Sequence, residues 1–364
     1  MKEAIVFFVV NKNSDSSLID ITRCLKSRQN LSEAEVVEAG RALISESVSG
    51  EAKRDFLLAW QEKGEQAAEV SSLAQFFREQ AKDPGLQDYA DHAIDIVGTG
   101  GDKAGTFNIS TTASMIVAAG GVPVIKHGNR SITSKTGAAD LLESIGVPLN
   151  AELALLKRSM EANNFAFLFA PGFHPAFKSI VPVRKELAAV GKKTVFNILG
   201  PLINPARPAY ELMGVFSAEW VSPLAEVLTQ VGLKRGLVAH STYGGQALDE
   251  ITSMGENAIA AAGAVTQAEL DTLFDLIRTH NTGTLDDLKG GTPDDNLRIF
   301  EDVLAYKANP TLLNTICINA GAAFCLTQNV PSFEAGFEKA KQLLVSGAVS
   351  NWVSKTRSFF QHES

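Results

Sequence analysis

The chain has 364 residues, 45% of them apolar and 20% charged, enough to bury a sizeable core in one large domain with a smaller companion. Forty-one acids against thirty-three bases leave a net charge of −8, which argues against a general nucleic-acid or anionic-membrane surface. Cys24, Cys317 and Cys325 show no metal-ligand spacing and are expected as free, buried thiols in a reduced compartment. The apolar run 4–10 is too short to cross a bilayer and lacks a cleavage pattern, so a cytoplasmic location is expected.

Residues 1–17 read as an extension with one strand-like run and no legible role. Ser32 and Glu35 have capping-box spacing, with Leu31 placed to staple onto Val36, so a helix is expected from there towards Ser45. Residues 52–61, with Phe56, Leu57 and Trp60 at helical spacing, and residues 67–82 predict two more helices, broken at Gly64 and at Pro84-Gly85. This makes residues 1–90 a helical domain. From Ala93 short apolar strands alternate with helices, which predicts an α/β domain over 91–364 with a mostly parallel sheet covered by helices. Strands are expected at 94–97, 122–125, 165–170, 211–216 and 236–240, and helices at 112–119, 137–144, 152–163, 222–231, 267–276, 297–306, 312–326 and 333–344.

The stretch Ile94 to Thr111 carries the strongest chemical signal. Gly98, Gly100 and Gly101 let the chain turn tightly after a strand with its amides exposed, and a nest of free N–H groups attracts anions. Asn108, Ser110 and Thr111 follow at the mouth of a helix, where unpaired N–H groups also favour phosphate. Taken alone, such a loop is as well explained by a plain strand-to-helix turn. Lys126-His127-Gly128-Asn129-Arg130-Ser131 sits at the carboxyl end of the next strand, where ligands bind in open α/β sheets. Lys126 offers a charge for phosphate and Asn129 a donor and an acceptor, although a solvated basic turn has the same composition. Residues 173–184 and 196–202 place His174 and Arg184 beside Phe and Pro, a setting suited to an aromatic carboxylate: the guanidinium forks onto the acid while the ring packs on the apolar wall. Asp249 and Glu250 are adjacent carboxylates that can each give oxygen to Mg²⁺, or can equally be solvated surface.

In this order the blocks resemble the anthranilate phosphoribosyltransferase family from about Leu31 to Gly347. The resemblance rests on Gly98-Thr99-Gly100-Gly101-Asp102, Thr106-Phe107-Asn108-Ile109-Ser110-Thr111, Lys126-His127-Gly128-Asn129-Arg130, Pro182-Val183-Arg184, residues 196–201 and Asp249-Glu250, with Leu288-Lys289-Gly290-Gly291 and Asn296 in support. Phe56-Leu57 and Lys63-Gly64-Glu65 are shared with pyrimidine nucleoside phosphorylases, and the Lys126 to Arg130 block separates the two groups. The resemblance implies a fold of nucleoside phosphorylase and phosphoribosyltransferase type, with residues 175–205 packing back on the helical domain. It implies transfer of phosphoribosyl from phosphoribosyl pyrophosphate to the amine of anthranilate, without a covalent nucleophile, in tryptophan biosynthesis. On matching positions, Gly98, Gly101, Asp102, Thr106, Asn108, Ile109, Ser110, Thr111, Lys126, Ser134 and Ala138 would hold the donor. Gly98, His127, Asn129, His174, Arg184, Gly200 and Pro201 would form the anthranilate path, and Ser110, Asp249 and Glu250 would serve Mg²⁺. A homodimer joined through the N-terminal helices is also implied, with no nucleic-acid or membrane partner. The chain departs from the family at Lys103, where glycine is usual, and at Thr133, Thr136 and Ala138, where serine is usual. The link 188–193 is about three residues longer than usual. That link favours, as an alternative, a paralogue with a different aromatic or nucleobase acceptor. A silent phosphate-binding or nucleic-acid-binding homologue is disfavoured by the intact donor loop and the acidic charge.

Overall fold

The computed structural model describes residues 14–130 and 136–363. The chain divides into two compact units: one takes the chain up to Phe77 together with Ala176–Phe196, the other takes Arg78–Pro175 and Asn197 onward.

The first unit is helical. Ser14–Lys26 is already a helix, so the expected extension gives way to regular structure earlier than its sequence suggested, and Cys24 within it is half-buried rather than buried. Glu33–Ile44 begins at the Ser32–Glu35 capping box, with both reciprocal bonds formed. Gly50–Lys63 ends at Gly64, whose φ of 89° suits a residue without a Cβ, and Ala67–Glu79 follows. These helices meet around Glu69, a fully enclosed carboxylate. It accepts the Leu31 N–H at 2.7 Å and the Trp60 indole N–H at 2.8 Å, and it pairs with Lys63 at 2.6 Å. Saturating the acid in this way offsets the cost of burying it. Val181–Ala189 adds Arg184, whose guanidinium lies 5.3 Å from the Phe196 ring centroid and donates to the Phe196 carbonyl at 3.4 Å.

The second unit is built on a seven-stranded sheet: β1 (Ile94–Gly98), β2 (Val124–Gly128), β3 (Phe165–Phe169), β4 (Tyr210–Gly214), β5 (Arg235–Tyr243), β6 (Gln246–Leu248) and β7 (Glu256–Gly263). The order is β3-β2-β1-β4-β5, all parallel, with β6 and β7 antiparallel on β5. The five expected strands are these parallel ones. The antiparallel pair was not legible, because β7 (ENAIAAAG) is poor in the β-branched and aromatic residues that mark strands. β1 to β4 show almost no exposed surface, so Asp95, Lys126 and Glu211 are buried along with their apolar neighbours. Ile109–Ala119 and Pro310–Leu326 are apolar nearly all round and are correspondingly buried. Cys317 and Cys325 lie in the latter helix, and burial pushes their thiols up to about 12 and about 11, leaving them inert at neutral pH. Gly321 lets the next helix, Phe333–Val345, approach so closely that a Cβ at either Gly321 or Gly336 would strike the other helix's backbone. A final helix, Ala348–Glu363, lies beyond the last predicted one.

From β1 the neighbouring strands run β2-β3 to one side and β4-β5 to the other, so the topological switch point lies between β1 and β4. Gly98 and Gly214 are register partners at the carboxyl ends of those two strands.

Candidate active site

The crevice at the switch point is lined by the glycine loop. Gly100, Gly101 and Gly105 have φ of 65°, 82° and 68°, so the chain turns through left-handed conformations that a residue without a Cβ adopts freely. Lys103 shares that conformation with φ of 62°. That conformation favours glycine, and the exposed Lys103 side chain carries the strain instead. Asp102 ties the loop down, with one oxygen accepting the Ala104 N–H at 3.1 Å and the other the Asp249 N–H at 3.4 Å.

Asp249 closes the crevice from the β6 side. Its Oδ2 accepts the Gly100 N–H at 2.7 Å. A Cβ on Gly98 would collide with that oxygen, and one on Gly214 would collide with the Asp249 carbonyl, so both strand ends need glycine for the acid to sit there. Glu250 accepts the backbone N–H of Ser110 at the start of Ile109–Ala119, using the positive end of that helix. Burial first, and then Asp102, push Asp249 up to about 7; burial, Asp249 and Asp102 hold Glu250 well above its usual range. Both keep some contact with solvent at the crevice mouth, but protein encloses them on most sides. The described residues include no three His, Cys, Asp or Glu side chains placed to enclose a metal by themselves. Two adjacent hard carboxylates that repel each other, beside the Ser110 N–H, fit Mg²⁺, which keeps waters and takes substrate oxygens.

Asn108, Thr106 and the segment after Leu288 form one clasp. Thr106 pairs with Lys289, the Phe107 N–H donates to the Leu288 carbonyl at 2.8 Å, and the Gly290 N–H donates to the Gly105 carbonyl at 2.9 Å. Asn296 donates to Asn108 Oδ1 at 2.8 Å and accepts the Gly291 N–H at 2.6 Å. This explains Leu288-Lys289-Gly290-Gly291 and Asn296, which residue-by-residue reading left without a role. They splint the donor loop from a distant part of the chain. Ile109 and Thr111 are buried in the helix, and Ala138 is half-exposed at the start of Ala138–Ser144. Ser134 and Thr133 lie outside the described residues. Lys126 does not reach solvent: it is 2% exposed and its ammonium donates to the Ile96 carbonyl. Burial lowers its pKa, while Asp95 and Glu250 work against that.

Beside this crevice stands a neutral wall. His127 ends β2; its Nδ1 faces the Gly200 carbonyl at 3.2 Å, and its ring meets the His174 ring edge-on at 5.1 Å between centroids. Burial, then His174, drives the His127 imidazole down to about 3, and burial drives His174 down to about 4. Both are therefore neutral at physiological pH. Because Nδ1 must donate to a carbonyl, His127 Nε2 is left as a bare acceptor, buried and without a partner among the described residues. Gly200 and Pro201 lie in the Leu199–Leu202 turn. Asn129 is exposed; its Oδ1 accepts the Arg130 N–H at 2.8 Å, and Arg130 is anchored on Asp140 and Glu143. Gly98, His127, Asn129, His174, Gly200 and Pro201 thus belong to the α/β unit, whereas Arg184 belongs to the helical unit.

Residues 90–350 match the model of the glycosyl transferase family, a/b domain. A protein from Rhodospirillum rubrum named anthranilate phosphoribosyltransferase is 40% identical over 329 residues, covering 89% of this chain and 90% of the relative. The crystal structure of anthranilate phosphoribosyltransferase from Thermus thermophilus superposes with a TM-score of 0.82 at 37% identity, over 94% of this chain and 99% of that one. The enzyme from Saccharomyces cerevisiae in complex with PRPP and Mg gives a TM-score of 0.78 at 25% identity, over 95% and 98% of the two chains. A glycine-turned crevice at the switch point, two carboxylates over it and a neutral wall beside it therefore occur in a chain that, by family model, sequence and fold together, belongs to the anthranilate phosphoribosyltransferase family.

Proposed function

We propose that this chain transfers the 5-phosphoribosyl group from phosphoribosyl pyrophosphate to the amine of anthranilate, giving N-(5-phosphoribosyl)anthranilate and pyrophosphate, in tryptophan biosynthesis. The observation that carries this reading is Asp249 seated on the glycine loop, with its Oδ2 on the Gly100 N–H. A polyanion bound by that loop needs a cation beside it, and Asp249 with Glu250 supplies the place for one. Asp249, Glu250 and the Ser110 hydroxyl would hold Mg²⁺, which when bound neutralises charge on pyrophosphate oxygens.

The chain's own groups do the rest. The turn at Gly98, Gly101 and Asp102, with Thr106, Asn108, Ile109, Ser110, Thr111, Ser134 and the turn at Ala138, binds the donor's phosphates. Buried Lys126 contributes its field from beneath the crevice. As the C1–O bond breaks, its electron pair leaves with pyrophosphate, and those fixed dipoles stabilise the charge that develops. The amine nitrogen then forms the bond to C1. His127 Nε2, bare and neutral, accepts an amine N–H and so turns the nitrogen lone pair towards the sugar. His174 keeps its neighbour uncharged, Gly98, Asn129, Gly200 and Pro201 line the ring's path, and Arg184 takes the carboxylate. The amine's proton passes to released pyrophosphate or water. Orientation supplies most of the rate, since an aromatic amine is already neutral at pH 7.

The test is direct: purified protein, phosphoribosyl pyrophosphate, Mg²⁺ and anthranilate, followed by loss of anthranilate fluorescence. Turnover is expected. A folded protein that binds the donor without consuming anthranilate would overturn the reading and favour the paralogue with another acceptor, which the longer 188–193 link supports. Asp249→Asn with Glu250→Gln should shift the Mg²⁺ dependence; an unchanged titration would remove both from the metal site. The reading also takes the helical and α/β units as its two domains, a homodimer through the N-terminal helices, checked by light scattering, and a cytoplasmic setting. No helix among the described residues is long and apolar enough to cross a membrane.

A further inference from the structure

Behind the neutral wall lies a second polar layer that the reaction above does not use. Asn204, just after the Leu199–Leu202 turn, is 0% exposed. Its Nδ2 donates at 2.8 Å to Asp95 Oδ2 on β1 and at 2.8 Å to the Ile125 carbonyl on β2, and its Oδ1 accepts the Ala206 N–H at 3.0 Å. One amide therefore spends both its hydrogens on two different strands while its oxygen holds its own loop. Asp95, also 0% exposed, accepts the backbone N–H of His127 at 3.3 and 3.4 Å. The His127 ring in turn reaches the Gly200 carbonyl. The result is a closed circuit, Gly200 to Asn204 along the chain, Asn204 to Asp95, Asp95 to His127, and His127 back to Gly200.

We propose that Asp95 and Asn204 are positioning residues for the acceptor, a bracket that sets how far the His127 imidazole stands from the Gly200–Pro201 turn. The inference rests on the reading of that wall as the anthranilate path. Its physical basis is that a buried, hydrogen-bonded polar circuit has one geometry, whereas an apolar filling of the same volume tolerates several. A ring acceptor held between an imidazole and a proline turn needs that single spacing, because a displacement of about 1 Å is enough to cost a large rate factor. The Asp95–Asn204 pair is also directional: the acid can only accept and the amide must donate. Glu211, the register partner of Asp95 on β4, provides the contrast. It is equally buried and near Asp95, yet none of the circuit's bonds runs through it.

The experiment compares Asp95→Asn, Asn204→Asp and the two together in the full-length enzyme, with Glu211→Gln as control. Asp95→Asn keeps one oxygen but turns an amide hydrogen towards either Asn204 or the His127 N–H, and Asn204→Asp sets two carboxylates together and leaves the Ile125 carbonyl without its donor. The double variant relieves the clash between the two acids by reversing the direction of their bond, while the Ile125 carbonyl stays without a donor. Each single change is expected to raise the KM for anthranilate by about tenfold or more and to leave the KM for the donor within about twofold. The double variant should recover part of the loss seen in Asn204→Asp, and Glu211→Gln should leave both constants unchanged. If a single variant shows no cooperative unfolding transition, Asn204→Ser, which keeps a hydroxyl donor for Asp95, is expected to show the same split. Parallel changes in both KM values, no recovery in the double variant, or an equal effect from Glu211→Gln would overturn the proposal. A wild-type enzyme inert towards anthranilate overturns the acceptor reading itself, an outcome separate from a turning-over enzyme whose variants show no split.

Discussion

The proposed donor crevice and the proposed acceptor wall occupy the carboxyl ends of adjacent strands but have opposite electrostatics. On the donor side, backbone N–H groups and small residues face Asp249 and Glu250, acids pushed up by burial and by each other. On the acceptor side, His127 and His174 are bases pushed down by burial until they are neutral. That difference is what the proposed roles need: dipoles and a cation's seat for a polyphosphate, and uncharged acceptors that orient an uncharged amine. Arg184, proposed above for anthranilate's carboxylate, belongs to the helical unit.

Breaking the donor side should have the largest effect. Gly214→Ala would drive a Cβ into the Asp249 carbonyl, backbone against backbone. A loss of about 3 kcal/mol or more is expected, read by denaturant unfolding, together with loss of turnover. A variant of wild-type stability would show that the Asp249 segment can retreat. On the acceptor side, Arg184→Ala should raise the KM for anthranilate by about a hundredfold while sparing that for the donor, since a charge-assisted fork is lost. Equal effects on both substrates would remove Arg184 from the carboxylate.

A smaller effect tests the neutral imidazoles. With a folded pKa of about 3 against 6.5 for a free side chain, His127 stays unprotonated in the fold while the unfolded chain takes up the proton. Its contribution to stability is present above pH 6.5 and is lost as pH falls towards about 3. His127→Asn, which retains a donor for Gly200, should therefore show a shallower fall in Tm between pH 6.5 and about 4.5 than wild type. Parallel melting curves would mean that His127 is protonated in the fold. Asp249 titrates in the opposite sense: its raised pKa gives stability that is present in acid and lost as pH rises through about 7. The smallest effect is expected at Lys103→Gly. Relief of the left-handed strain at φ 62° is offset in part by the looser unfolded chain, leaving a gain of at most about 1 kcal/mol. A clear loss would show that the Lys103 ammonium has a partner in the loop.

Local patterns by themselves determined much of this protein. The capping box at Ser32, the glycine stop at Gly64, the five buried parallel strands and the glycine loop are legible because each depends on neighbours within a few residues. The Asp249-Glu250 pair was visible only as two adjacent acids, equally suited to solvent. Only the tertiary structure decided that Gly98 and Gly214 leave room for Asp249 over the switch point, that Lys126 turns inward onto Ile96, and that Asn296 and Leu288 splint a loop nearly two hundred residues earlier. The antiparallel β7 and the helix at Ser14 were missed for a related reason: what holds them is pairing or packing with distant segments rather than their own composition. Hydrogen bonds such as Asn204 to Asp95, one hundred and nine residues apart, have no local signature. Their geometry exists only once the strands have been laid side by side.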